Sequence, residues 1–567
     1  MSDNKFEAIV IGAGMSGGYA AKELCEAGIK TLLLERGPDV KHIQDYPTAT
    51  KQPWEFVHRG EIPVNIKKEN PVISRCYAYR EDNAHFFVKD TEHLYVQDKP
   101  FDWIRGYQVG GKSLMWARQT QRWSDHDFEG PARDGFAVDW PIRYKDLAPW
   151  YSKVERFVGI TGNKDGLDTL PDGEFLPAWE MNCVEKYFTE FMKKTYKDRH
   201  VIFGRCAHLS EPQEIHKKQG RGMCRSRQEC ERGCPLGGYF SANSSTIPWA
   251  AKTGNLTLKP DAVVQSIMYD EEQGKATGVR IIDRMTKEVT EYTANVIFLN
   301  AGAINSIGVL LNSTSDRFSE GLGNDSGTLG KYVGFHNYRA KINAIHEGHK
   351  NKASIGGVPT TAYIPRFRNV YKQETDFLRG YASGFRASRY KSTSPTSSGM
   401  GQQLTDSIIN ATREYKGPWN VDSHMMGATI PKESNYVKLS DTDKDEWGMP
   451  LLRISIDYDD NDEKMIADFF EQMTEMYTKA GFVDIKTKDT KQAPGLDIHE
   501  MGGIRMGRDA KTSMLNANNQ LHACKNVYVT DGACMTSTST QNPSLTYMAI
   551  AARAANHAVD QLKKDLI

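Results

Sequence analysis

The chain has 567 residues, too many for one small core, so a two-domain organisation is the natural prior. Lys plus Arg and Asp plus Glu each total 72, which leaves no net field to gather nucleic acid or anionic lipid. The 39% hydrophobic content suits a soluble globular protein, and no apolar run approaches the roughly 20 residues of a membrane span.

Met-Ser-Asp-Asn-Lys leads straight into an apolar strand, leaving no room for a signal peptide. Synthesis in the cytoplasm is therefore expected, with periplasmic export alongside a signal-bearing partner left open. Residues 7–37 predict an apolar strand, Gly12-x-Gly14-x-x-Gly17, an Ala-rich helix and a second apolar strand ending at Glu35. The glycines allow a tight turn and a close approach to a pyrophosphate. The helix N-terminus offers free N–H groups to that phosphate, and Glu35 is placed for a ribose hydroxyl. The motif alone does not separate FAD from NAD.

Residues 50–100 alternate poorly and predict an irregular surface excursion, whereas 141–160 and 181–197 read as helices. Nine cysteines, an odd total, argue against a full disulfide framework, and Cys224, Cys230 and Cys234 fall within eleven residues. Residues 256–300 are strand-rich and close in the buried run Val296-Ile297-Phe298-Leu299. From about 336 to 460 the pattern shifts to period two, as in Tyr338–Ile345 and Leu452–Tyr458, predicting a largely antiparallel region. An amphipathic helix follows with Met465, Ile466, Phe469, Phe470, Met473 and Tyr477 on one face. The Ser-, Thr- and Gly-rich stretch Lys391–Gln403 predicts a mobile loop. Such a sheet, inserted before the C-terminal segment returns, can wall a substrate pocket above a cofactor.

Near the C-terminus, Asp497-Ile498-His499-Glu500-Met501-Gly502-Gly503 is followed by Gln541-Asn542-Pro543-Ser544. A neutral imidazole can take the proton of an alcohol while a carboxamide holds the same oxygen. The bland alternative is a satisfied core histidine beside a turn or helix cap.

Together with Arg105–Trp116, Asn300–Ser306, Tyr436–Leu439 leading to Gly448-Met449-Pro450, and Tyr528–Ala533, these landmarks resemble the glucose–methanol–choline (GMC) family of flavoprotein oxidoreductases over nearly the whole chain. The resemblance implies FAD and an α/β fold, in which a Rossmann-like FAD-binding domain carries an inserted antiparallel-sheet substrate domain. Residues 1–50, 100–135, 221–335 and 495–567 are expected in the first, and 51–99, 136–220 and 336–494 in the second. It implies His499 as catalytic base and Asn542 as its partner. FAD contacts are implied at Gly12, Gly14, Gly17, Glu35, Arg36, Gly110, Gly111, Ser113, Met115, Trp116, Val264, Asp531, Gly532, Asn542 and Ser544. Members that bind FAD covalently carry a histidine where this chain has Met115, so non-covalent FAD is expected. Trp116 is similar to the pyranose-oxidising branch.

Cys224-x5-Cys230-x3-Cys234-Pro235 departs from an ordinary GMC oxidase and resembles the closing half of a bacterial ferredoxin run. Three ligands suit a 3Fe-4S cluster, and a distant fourth such as Cys206 would permit four irons. Arg221, Arg225, Arg227 and Arg232 are expected to offset its charge. A structural zinc or a plain cysteine-rich loop are the alternatives. This feature is similar to the catalytic subunits of bacterial FAD-dependent sugar dehydrogenases, which pair with a small helical subunit and often a cytochrome. The resemblance implies oxidation of a sugar or glycoside CH–OH, at C3 before C1 or C2, with substrate contacts from His424, His499 and Asn542. An oxygen-using alcohol oxidase and a non-catalytic flavin-binding scaffold are the rival readings.

Overall fold

The computed structural model describes residues 4–567 apart from 59, 228, 353–357 and 390–416, so the expected loop Lys391–Gln403 lies outside the described residues. Ala8–Ile11 and Thr31–Leu34 are four-residue apolar strands buried along their whole length. They pair in parallel, which requires the intervening crossover helix Met15–Glu26. Three more segments complete a five-stranded parallel sheet in the order Val527–Val529, Val296–Leu299, Ala8–Ile11, Thr31–Leu34, Leu256–Lys259. The continuous apolar character of these strands follows from burial on both faces. Helix Met15–Glu26 packs against the C-terminal helix Ser544–Lys563, which returns the chain to the first strand.

Ala262–Asp270, Lys275–Asp283 and Val289–Thr293 form a small antiparallel sheet. A larger antiparallel sheet runs Val483–Asp489, Ala340–His346, Trp419–Ala428, Tyr381–Arg389, Ala362–Ile364 and Ile202–Phe203, and the short strand His336–Asn337 pairs with Trp419–Ala428. One face is apolar. Ile342, Phe385, Val421 and Met425 pack there against Met465, Ile466, Phe469, Met473, Met476 and Tyr477 of helix Asp460–Lys479, and against Phe188 of helix Cys183–Thr195. Phe188 stacks on Phe385 with ring centroids 4.4 Å apart. Phe470 is half-buried and packs against the same cluster, which Met476 also joins. Its place follows the helical period, which carries position 476 back over 469 and 473.

The opposite face is polar. Lys341 stands opposite His424, His424 opposite Gly384, and Asp422 opposite Arg386. A cavity of about 790 Å³ lies between this face and the Gly12–Gly14 turn of the parallel sheet. The hairpin of Tyr436–Lys444 and Pro450–Ser455, although within 336–494, packs on helix Ala303–Asn312 beside the parallel sheet, where Leu452 comes against Gly308. Residues 50–100 hold only short helical turns and one two-residue strand. Among the described residues no helix is long and apolar enough to cross a membrane.

Candidate active site

A Cβ on Gly12 would lie 2.3 Å from the Asn300 carbonyl oxygen, and one on Gly17 would lie 1.8 Å from that of Gly12. These two glycines let turn, helix and neighbouring strand approach each other. Gly14 has nothing within 4 Å of its missing side chain and lines the cavity. Helix Met15–Glu26 has no side-chain cap and no acidic residue in its first turn, so its free N–H groups and positive end suit an anion there. Glu35 accepts the Ala13 and Gly37 N–H groups at 3.0 and 3.1 Å, and burial pushes its carboxyl up to about 7. Arg36 lies over the rings of Tyr107 and Trp447 at 4.6 and 4.9 Å.

Gly111, Ser113, Met115, Trp116, Val264, Asp531, Gly532, Asn542 and Ser544 also line the cavity. Gly17 and Gly110 do not. Gly17 sits behind the turn, and Gly110, at φ +98°, shapes the bend that presents Gly111. The Asp531 carboxylate is spent on Gly302 N–H, Ser306 Oγ and Ala533 N–H at 2.8, 2.5 and 2.9 Å, so it braces the loops around the cavity. Asn300 lines the same cavity, and its buried Nδ2 has no hydrogen-bond partner. The open space at Gly14, the uncapped helix and this orphaned amide fit a dinucleotide. When bound, FAD supplies the hydride acceptor.

At the far end of the cavity His499 Nε2 lies 3.3 Å from Asn542 Nδ2. Asn542 immediately precedes Pro543 and the C-terminal helix, which fixes its backbone. Ile498, at φ +64°, holds a conformation rare for a β-branched residue and costs of order 1–3 kcal/mol. Gly334 and Met501 exchange both backbone hydrogen bonds, at 2.7 and 2.9 Å, as an antiparallel bridge. That register sets residue 336 opposite 499. His336 Nδ1 accordingly lies 2.9 Å from His499 Nδ1, and His336 Nε2 lies 2.7 Å from the Ser539 carbonyl oxygen. The Asp497 carboxylate accepts His336 N–H at 2.8 Å, and burial pushes its carboxyl up to about 7. Burial lowers His336 to about 4, and burial, with His336 and Lys112 beside it, holds His499 well below the usual imidazole range. His336, Asp497 and His499 offer ligand atoms within 4.8 Å of one another. Internal hydrogen bonds account for that convergence without a metal. Sequence reasoning missed His336, whose only signal was its place at the start of the period-two region.

The cavity wall opposite carries Tyr338, Lys341, Arg386, Asp422 and His424. The His424 ring contacts Tyr338 at 4.9 Å, and burial lowers its pKa to about 4, so it is a neutral hydrogen-bonding group. Arg386 pairs with Asp422 at 3.1 Å. Polar groups of this kind suit a polyhydroxylated ligand.

The cysteine loop lies behind the cavity wall. Tyr239 Oη donates to the Leu114 carbonyl at 2.8 Å and Trp116 Nε1 to that of Phe240 at 3.0 Å. The loop thus rests directly on the 114–116 segment that lines the cavity. His208 Nε2 is 3.5 Å from Cys230 Sγ. The thiols of Cys206 and Cys224 are pushed up to about 12 and 11, chiefly by burial, and each feels the charge of Cys230. Among the described residues no three cysteine sulfurs lie within 4.8 Å of one another. Of the expected arginines, Arg221 lies near enough to Cys234 for their charges to interact, and backbone carbonyls hold three of the side chains in place. Arg227 and Arg232 donate to the carbonyls of Ala49, Thr48 and Lys51, and Arg221 to those of Gly237 and Val158. Arg118, which lines the cavity, is the cation whose charge is felt by Cys206, Cys224 and Cys230, and it was not foreseen.

Comparison with known proteins agrees with this geometry. The chain is 24% identical to the fructose dehydrogenase large subunit of Gluconobacter japonicus over 98% of each chain. It is 26% identical to the 2-methyl-1,2-propanediol dehydrogenase of Mycolicibacterium austroafricanum, covering 98% of this chain and 95% of that one. A crystal structure of pyridoxine 4-oxidase from Mesorbium loti superposes with a TM-score of 0.58 at 15% identity, over 97% of this chain and 99% of the other, which shows a shared fold. Residues 6–333 and 431–551 match the N- and C-terminal models of the GMC oxidoreductases. The chain belongs to the GMC oxidoreductase family, as an FAD-dependent oxidoreductase of CH–OH donors.

Proposed function

We propose that the protein is a dehydrogenase of pyranose sugars or their glycosides, acting best at C3 to give a 3-keto sugar. The observation that carries this is the His499–Asn542 pair facing a wall of polar side chains across one cavity. The substrate hydroxyl donates its proton to His499 Nε2 while Asn542 Nδ2–H binds the same oxygen. Bound FAD would accept the carbon's hydride, so that a C=O bond would replace the C–H and O–H bonds. His424 and its neighbours bind the other hydroxyls.

On this reading Cys224, Cys230 and Cys234 would hold an iron–sulfur cluster, best matched by 3Fe-4S, which would supply one-electron transfer out of the site. Electrons would pass to a partner, a small helical subunit with a cytochrome or another acceptor. The position of the loop against residues 114–116 supports this route, as does the likeness to a protein named as a large subunit. Met115 supports non-covalent FAD, since a thioether has no proton to lose and cannot form a neutral covalent bond to the flavin as an imidazole can. Export with such a partner would place the enzyme in the periplasm.

Methyl glucosides should be oxidised as well as free glucose, because C3 chemistry needs no free anomeric hydroxyl. Activity confined to free aldoses would replace C3 with anomeric oxidation, and preference for simple alcohols would remove the sugar class. Anaerobically purified protein should contain iron. Its absence, with fast turnover on oxygen, would make the enzyme an oxidase with structural cysteines. Acid precipitation should release all flavin into the supernatant.

A further inference from the structure

The backbone carbonyl of Ser539 can only accept, so the 2.7 Å contact makes His336 Nε2 the protonated nitrogen. His336 is fully buried with no carboxylate on its ring, so it is neutral and its Nδ1 carries a lone pair. The 2.9 Å contact then requires the proton on His499 Nδ1. A neutral His499 with Nδ1–H exposes its Nε2 lone pair to Asn542 and the cavity, and Asn542 must turn its amide N–H towards it. One carbonyl thereby fixes two imidazole tautomers and one amide orientation.

We propose that His336 is a positioning residue that holds His499 in the tautomer able to accept the substrate's proton at Nε2. The inference rests on the reading of His499 as the base. When the substrate O–H bond breaks and Nε2–H forms, the positive charge on His499 faces the His336 Nδ1 lone pair. His336 gains no bond and gives up none. An imidazole held by a carbonyl does here one part of what a carboxylate does in a hydrolytic triad: it orients the base and fixes its tautomer.

The test pairs His336→Leu with His336→Gln in the flavin-loaded protein. Gln retains an oxygen to accept from His499 and an amide to donate to Ser539, whereas Leu retains only bulk. Single-turnover flavin reduction should slow by about 10²-fold or more in the Leu variant, with substrate Kd within a few-fold of normal. The Gln variant should recover to within about tenfold of the native rate. A native rate in the Leu variant, or equal losses in both variants with FAD and substrate still bound, would overturn the proposal. Nitrogen NMR of the ¹⁵N-histidine-labelled native holoenzyme decides the matter even if the Leu variant does not fold. A lone pair on His499 Nε2 is expected, and an Nε2–H tautomer would overturn the inference. If His499→Ala itself leaves flavin reduction intact, the base reading fails. If that variant is inactive while His336→Leu is normal, only the positioning role is lost.

Discussion

His499 meets its substrate with its chemistry already set by neighbours. Burial, His336 and Lys112 all oppose the imidazolium, so the pKa is depressed and the ring stays neutral well below the ordinary 6.5. A depressed histidine keeps its base function as pH falls through that value and loses it only in more acid solution. Flavin reduction measured by stopped flow between about pH 5.5 and about 8 should therefore show no inflection near the ordinary histidine value of about 6.5. An inflection there that survives Asp497→Asn, a change that removes the neighbouring carboxyl raised to about 7, would mean that His499 titrates as an exposed imidazole. Asn542→Ala removes the donor to the reacting oxygen and should cost about 10²- to 10³-fold in that rate. An unchanged rate would show that the amide does not touch the transition state. His499 and Asn542 were legible because each stands in a local motif. His336 was not, because its role comes from the Gly334–Met501 bridge, a contact across 167 positions that no local pattern announces.

At the scale of elements, alternation announced the cavity wall and its apolar back. Tyr338–Ile345 predicted a strand, and Ala340–His346 is one, with Ile342 and Ala344 turned to the helix and Lys341 to the cavity. The same period could not show which strands would be neighbours, so the apposition of Gly384 with His424 came only from the fold. That apposition is testable. A Cβ on Gly384 would lie 2.5 Å from His424 Cε1, closer than the ring can tolerate without moving. Gly384→Ala should therefore displace His424 and raise the Michaelis constant for a sugar by about tenfold, while the bound flavin's spectrum stays normal. An unchanged constant would remove His424 from substrate recognition. The cysteine loop shows the opposite balance. Its spacing was plain in the sequence, but the flanking arginines were assigned by proximity, and folding spends Arg227 and Arg232 on backbone carbonyls instead.

For the whole molecule, ionisable groups buried at the cavity and elsewhere in the fold leave a signature in stability. Glu185, Asp462 and Asp497 are each pushed up to about 7 by burial, while burial lowers His216, His336 and His424 to about 4. An acid raised in the fold is ionised more easily in the unfolded chain. Its contribution is complete below its unfolded pKa, about 4, and is lost as pH rises through 7. A histidine depressed in the fold does the reverse: its contribution is complete above about 6.5 and is lost as pH falls towards 4. Between about 4 and 6.5 the two sets oppose each other and partly cancel. Above about 6.5 the histidines no longer titrate in either state, and only the acids remain. The free energy of unfolding of the holoprotein in urea should therefore fall between about pH 6.5 and about 8. Asp462→Asn cannot ionise, and its side chain can still accept at the start of helix Asp460–Lys479, so the fall should be shallower in that variant. An equally steep fall would mean that Asp462 is ionised in the folded protein at neutral pH, held there by the Asn337 amide and the Asp459 N–H it already meets.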